Sequence, residues 1–399
     1  MTEGLFRPDR VDQQALRRRS LTRWADAAPG VIPLTVAEPD FPAPPMVTEA
    51  MMAYLADGYL PYAPEDGMAE LRQAVASVCQ RRYGIEATAA QIVLTPGTAA
   101  AIWTVVHALS GPDRECVLLD PVDLLFGQAV DAAGARRLLC PVDKVTGRLD
   151  LDRLDSLVTS RTSLVLLCSP HNPLGAVLPE ETVRAVAAIA ARHGVPVVSD
   201  EVWNEIVYPP ARHVSTAAVA GDLGAPTYTL LGLSKTFALP GLRIGFVVAP
   251  DEAAARVLRA TVARLGMAHT VSPLAQVAAV TALRSGWPWR DRLVDHLHRT
   301  RDHCVRRFNA IPGVSCRSPD ATYVLFPDIS AFGLSSEQFA RSLLDSAEVA
   351  VVPGTPEWFG PGAAGNIRVS FATSESILDN ALDRFEQFTR SLDRRAVRQ

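Results

Sequence analysis

Four short segments of this 399-residue chain carry side chains fit for chemistry. LSKTFALPGLRIG at 233–245 sets Lys235 in a Ser/Gly-rich turn, with Arg243 eight residues further on. SDEVW at 199–203 puts Asp200 directly after an apolar run. SPHNPLG at 169–175 is a Pro-rich turn that holds Asn172. TPGTAAAI at 95–102 reads as a strand end, a glycine turn and a helix start, whose backbone N–H groups make a cradle for an anion. Each has a plain structural reading as well. A loop lysine is usually solvated, Asp200 could cap a helix, and the other two could be ordinary connections.

The elements around them read as alternating strand and helix. SLVLLC at 163–168 is an apolar run ending at Ser-Pro, which predicts a buried strand. The stretch 179–193 opens with Pro-Glu-Glu, places Val183, Val186, Ala187 and Ala190 at helical spacing, and stops at Gly194. Strands are predicted again at 195–199, 229–231 and 244–248. Strand, helix, strand with tight connections implies parallel strands and a wound α/β sheet. Chemistry in such sheets gathers at the carboxyl ends of the strands, where these segments fall. From about Trp287 the pattern changes to longer charged helices, then 323–327, then a closing helix after Thr373. The expected fold is α/β: a large domain with a mostly parallel central sheet flanked by helices, plus a smaller α+β domain. The expected division is 1–45 as an N-terminal arm of the small domain, 46–285 as the large domain and 286–399 as the rest of the small one.

Composition narrows the function class. A net charge of −4 and a pI near 6.1 give no attraction to nucleic acid or an anionic membrane. Arg17, Arg18 and Arg19 read as a solvated helix face. The six cysteines are scattered without CxxC spacing, which argues against a metal or redox site; Cys116 and Cys168, in apolar runs, read as buried and inert. Neither a signal peptide nor an apolar run near the ~18 residues of a membrane span is present, so a soluble cytoplasmic protein is expected.

Taken jointly and in this order, the four segments resemble the fold-type-I pyridoxal-phosphate enzymes, the aspartate aminotransferase superfamily, over about 31–373. The resemblance implies pyridoxal 5'-phosphate as cofactor and an amino acid as substrate. It implies that Lys235 joins the cofactor aldehyde, Asp200 partners the pyridine nitrogen and Asn172 donates to the ring hydroxyl. Gly97, Thr98 and Ala99 would offer N–H groups to the phosphate, with Ser234 and Arg243 opposite. Arg368, in NIRVSFAT, matches a clamp for the substrate carboxylate; Ala37, in VAEPDF, and Tyr323 match positions near the substrate. Tyr62 matches a tyrosine that reaches a phosphate across a dimer interface, which implies a homodimer with shared sites. The roles are chemically coherent. A lysine must lose its proton to add to an aldehyde, which needs burial or nearby positive charge. A pyridine ring absorbs charge from Cα only while its nitrogen stays protonated.

Three positions depart from the family pattern. PVDLLF places Asp123 where an aromatic commonly stacks on the ring; Phe126 could replace it, while Asp123 could do chemistry, bind a substrate hydroxyl or amine, or cap the next helix. Trp203 stands where a tyrosine usually donates to the ring hydroxyl, and an indole N–H cannot exchange its proton. Gly232 stands where a serine often binds phosphate. His171 reads as a loop shaper; His296, His298 and His303 read as surface residues. Trp287, Trp289 and Trp358 could line the site mouth or pack elsewhere.

VAEPDFPAPP, SPHNP and PEWFGPGAAGNIRVSFAT are most similar to the cystathionine β-lyase-like branch, which includes the maltose-regulon modulator group. The leading expectation is therefore C–S β-elimination from an S-substituted L-cysteine conjugate, with Lys235 as base. The alternatives are transamination between an amino acid and a 2-oxo acid, or decarboxylating oxidative deamination of a cysteine conjugate in a biosynthetic pathway. Transcription regulators of the same fold carry an extra N-terminal module, for which the stretch before Val31 is too short.

Overall fold

The computed structural model describes residues 5–8, 11–19 and 22–396. The start of the charged N-terminus, read above as lacking a signal peptide, lies outside them. Twelve strands occur among the described residues: β1 (Ile32–Pro33), β2 (Ile92–Thr95), β3 (Glu115–Asp120), β4 (Arg136–Pro141), β5 (Thr162–Cys168), β6 (Val197–Asp200), β7 (Thr227–Gly232), β8 (Gly245–Val248), β9 (Val324–Leu325), β10 (Val349–Ala350), β11 (Val352–Pro353) and β12 (Ile367–Ser370).

β2 to β8 form one seven-stranded sheet in the order β2-β8-β7-β6-β5-β3-β4. β4, β3, β5, β6 and β7 pair in parallel. The crossover from β5 to β6 is the helix Glu180–Arg192, whose Val183, Val186, Ala187 and Ala190 are buried as their spacing requires. Gly194, at φ +63°, ends it. β8 is the exception in this mostly parallel sheet: it runs antiparallel to both β7 and β2. A parallel return needs a crossover, usually a helix. The 233–244 connection offers only a short 3₁₀ turn at Pro240–Leu242, so the chain doubles back.

Both faces of the sheet are covered, and β5 and β6 are buried along their whole length. Beyond the sheet, the helix Trp287–Asn309 buries Trp289, Leu293, His296, Leu297, Thr300, Cys304 and Phe308. His296 therefore belongs to the core rather than the surface, because it falls on an apolar stripe that the helix's many charges obscure. His298 and His303 are half-buried and lie against Asp302 and Asp379. β1 pairs in parallel with β10, and Ser370 N donates to Leu34 O at 2.9 Å, so the N-terminal arm is hydrogen-bonded to the C-terminal segment.

All six cysteines are buried and free. Among the described residues no group of His, Cys, Asp and Glu could hold a metal, and no helix is long and apolar enough to cross a membrane.

Candidate active site

The carboxyl ends of β2, β5, β6 and β7 open onto one cavity of about 290 Å³. Its wall includes Ala37, Gly97, Thr98, Ala99, Asp123, Asn172, Asp200, Trp203, Ser234, Lys235, Arg243 and Arg368. Segments as far apart in the chain as Val36 and Arg368 thus meet around one space.

Asp200, the last residue of β6, is buried and accepts a hydrogen bond from Val202 N at 3.0 Å. It caps no helix, since residues 202–205 form a turn. Burial, with Asp123 nearby, pushes its carboxyl up to about 7. Lys235 is pushed down to about 8, first by burial and then by the Arg368 charge. Its Nζ donates to the carbonyl of Ala37 at 2.5 Å and lies 5.1 Å from the centre of the Trp203 ring.

Ala37 sits on a braced loop. Its carbonyl also accepts from the Tyr323 hydroxyl at 3.1 Å. Asp40 accepts from Trp24 Nε1 at 2.8 Å and lies 2.6 Å from Arg23 Nη2, with both side chains of that ion pair fully buried. Arg23 also donates to Val36 O at 3.3 Å. Sequence reading missed this brace, because a charged pair separated by seventeen residues carries no local signal.

Of the readings open to Asp123, the structure shows the helix cap. Its Oδ1 caps the helix Leu124–Ala132 by accepting from Leu125 N at 3.2 Å. Its Oδ2 accepts from Asn172 Nδ2 at 2.9 Å and lies 3.6 Å from Arg368 Nη1. Arg368, buried, donates to Asn172 Oδ1 at 3.2 Å and to Thr35 O at 3.1 Å, and stands over the Phe359 ring. Phe126 also lines the cavity and is the aromatic nearest in sequence to Asp123.

At the other end, the helix Thr98–Leu109 begins at Gly97 without a side-chain cap, so the N–H groups of its first turn lack intrahelical acceptors. Gly97 has φ +96°, and a Cβ there would come within 2.8 Å of Arg243 Nη2. A Cβ at Gly232 would lie 2.5 Å from Thr98 Oγ1. The missing serine is therefore a packing requirement: Thr98 already fills that space.

The turn after β6 is held by a second set of residues that sequence reading passed over. Glu201, fully buried, accepts from Ser199 Oγ at 2.9 Å, Ser215 Oγ at 3.0 Å and Thr216 N at 3.0 Å, and faces His213 Nε2 at 3.1 Å. Its adjacency to Asp200 was the available clue.

Two expected site residues lie off the cavity wall. Tyr323 is wholly buried behind it, with its ring edge-on to Trp203 at 4.5 Å. Tyr62 is 88% exposed and packs loosely by His269. His171 is buried away from the wall and held near pKa 4 by that burial, as suits a loop shaper. Trp287 and Trp289 pack against Phe237 and Phe6, and Trp358 is exposed; none borders the cavity.

The sequence model of the family described as aminotransferase class I and II matches residues 29–385. An aspartate aminotransferase of Pyrococcus horikoshii is 31% identical over 92% of this chain and 93% of its own. An arginine–pyruvate transaminase of Pseudomonas aeruginosa is 34% identical over 89% of this chain and 88% of its own. The crystal structure of an aromatic aminotransferase from Pyrococcus horikoshii superposes with a TM-score of 0.84 at 32% identity, covering 92% of this chain and 97% of that one.

These relatives overturn the expectation of C–S β-elimination, for they are named for amino-group transfer. Any reaction that takes a proton from Cα uses a base, a ring-nitrogen partner and a carboxylate clamp, so those residues said nothing about a leaving group. The flanking likeness in SPHNP lies in a loop whose His171 does not reach the cavity. Pyridoxal 5'-phosphate is the cofactor. Fold, cavity and whole-length similarity agree, and the chain belongs to the class I and II aminotransferase family.

Proposed function

We propose that the protein is an aminotransferase, passing an amino group between an amino acid and a 2-oxo acid. The observation that carries this reading is the shared cavity of Lys235, Asp200 and Arg368, in a chain whose relatives are named as transaminases.

The residues fit the cofactor on structural grounds. A buried carboxyl raised to about 7, with Lys235 only acting on it from a distance, would gain a contact partner in a protonated ring nitrogen. The uncapped helix start at Gly97–Thr98, with Ser234 and Arg243 beside it, suits a phosphate. When bound, pyridoxal phosphate supplies an electron sink for the pair left on Cα. Asp200 would hold the ring nitrogen's proton, and Asn172 and Trp203, which line the same cavity, would flank the ring. Arg368 would grip the α-carboxylate and so fix which bond at Cα stands toward Lys235. Lys235 Nζ, its basicity lowered by burial and by the Arg368 charge, would take the proton from Cα and return it. Ala37 and Tyr323 set where that amine rests.

The test is a half-reaction. An amino acid should bleach the visible band of the loaded protein while releasing its 2-oxo acid, and a fresh 2-oxo acid should restore the band. Pyruvate and a free thiol from a cysteine conjugate, with no such reversible bleaching, would reject the reading.

The exposed Tyr62 and its neighbours Tyr59, Leu60, Met52 and Leu55 support a homodimer in which Tyr62 serves the second copy's phosphate end. A monomer of full activity in sedimentation would exclude it.

A further inference from the structure

The charged groups on the cavity wall are few: Lys235, Arg243 and Arg368 are cationic, Asp200 and Asp123 anionic. In the proposed reaction Lys235, Arg243 and Asp200 are committed to the cofactor. Arg368 and Asp123 remain for the substrate.

Their arrangement is asymmetric. Arg368 can take one carboxylate. Among the described wall residues no second uncommitted cation stands ready for another. In its place is Asp123, whose Oδ2 lies 3.6 Å from Arg368 Nη1. Its side chain is held from two sides, by Leu125 N on Oδ1 and Asn172 Nδ2 on Oδ2, so it cannot swing away cheaply. It keeps 18% of its surface open to the cavity, enough for a ligand group to meet it. A side-chain carboxylate entering beside Arg368 would face a fixed anion. A side-chain ammonium or guanidinium would find a partner there.

We infer that Asp123 is a specificity-determining residue, selecting a monocarboxylic amino acid with a cationic side chain and rejecting dicarboxylic ones. The inference rests on the amino-transfer reading for its biological sense, but its test does not depend on turnover.

The cofactor-loaded protein is titrated by calorimetry with 4-guanidinobutanoate and with glutarate. Both have a carboxylate at one end and no primary amine to react with the cofactor aldehyde, and they differ in the charge at the other end. The expected result is at least about tenfold tighter binding of 4-guanidinobutanoate. Asp123→Asn and Asp123→Ser both retain a residue suited to capping the helix, and each should shrink that ratio by about tenfold or more. Glutarate binding as tightly as 4-guanidinobutanoate in the natural protein, or a ratio unmoved in both variants, would overturn the inference. Donor assays with L-ornithine and L-glutamate form the second arm. If neither amino acid gives up its amino group while the binding ratio behaves as expected, the aminotransferase reading fails and the role of Asp123 stands.

Discussion

The amine of Lys235 rests on the carbonyl of Ala37, a residue 198 positions earlier in the chain. That one contact ties the turn after β7 to the N-terminal arm, and it places an amine of lowered basicity against a loop braced by Arg23 and Asp40.

Replacing Lys235 should stabilise the cofactor-free chain at neutral pH while abolishing activity. An amine with folded pKa about 8 and ordinary value 10.5 is protonated in both states below pH 8, so there the folded state bears the full cost of a buried charge. The cost fades as pH climbs from 8 past 10.5. Lys235→Met should therefore raise unfolding stability at pH 7 on the order of 2 kcal/mol, after the lost hydrogen bond is counted, with the gain shrinking by pH 10. Urea unfolding at both pH values checks this; a destabilised variant at pH 7 would count against it. The loaded variant should lack the visible band.

Asp200→Asn should show a similar split. A carboxyl raised to about 7 is buried as a charge above that pH, and the penalty is relieved as pH falls toward 4. The cofactor-free variant should thus be more stable than the natural chain at pH 8 and similar at pH 4. With cofactor bound, the same change should slow the half-reaction at least about 100-fold, since no anion then holds the ring nitrogen's proton. Stopped-flow bleaching of the visible band is the measurement.

Gly232→Ser would supply the hydroxyl that the family resemblance implies at this position, yet it should weaken cofactor retention. The added Cβ meets Thr98 Oγ1 at 2.5 Å and would push the start of the helix Thr98–Leu109 off its site. We expect the cofactor Kd to rise about tenfold. Tighter retention in equilibrium dialysis would show that Thr98 yields freely.

The buried Arg23–Asp40 pair should be costly to break and cheap to replace. Asp40→Ala leaves Arg23 charged and unpaired and should lower stability by about 3–5 kcal/mol. Activity should fall beyond what unfolding explains, because Ala37 then loses its brace. The double variant Arg23→Met with Asp40→Leu should recover most of the stability in thermal unfolding.

Local chemistry was legible because it is written locally. TPGTAAAI already contained a strand end, a glycine turn and a helix start, and SDEVW already put its acid at a strand terminus. The alternation around 163–199 was enough to predict the parallel middle of the sheet, since a helical crossover leaves little choice of direction. The reversed β8 was less legible, because an apolar run has no direction in it. So was His296, whose helix hides an apolar stripe under many charges.

What the sequence by itself determined is the cofactor class, the fold and the set of residues that could serve Cα chemistry. Only the folded chain decided which groups share the cavity: Ala37 beneath Lys235, Asp123 between Asn172 and Arg368, Thr98 in the space a serine would need. Those relations join segments that lie far apart along the chain. Burial and electrostatic coupling act through space, and no spacing along the chain encodes them.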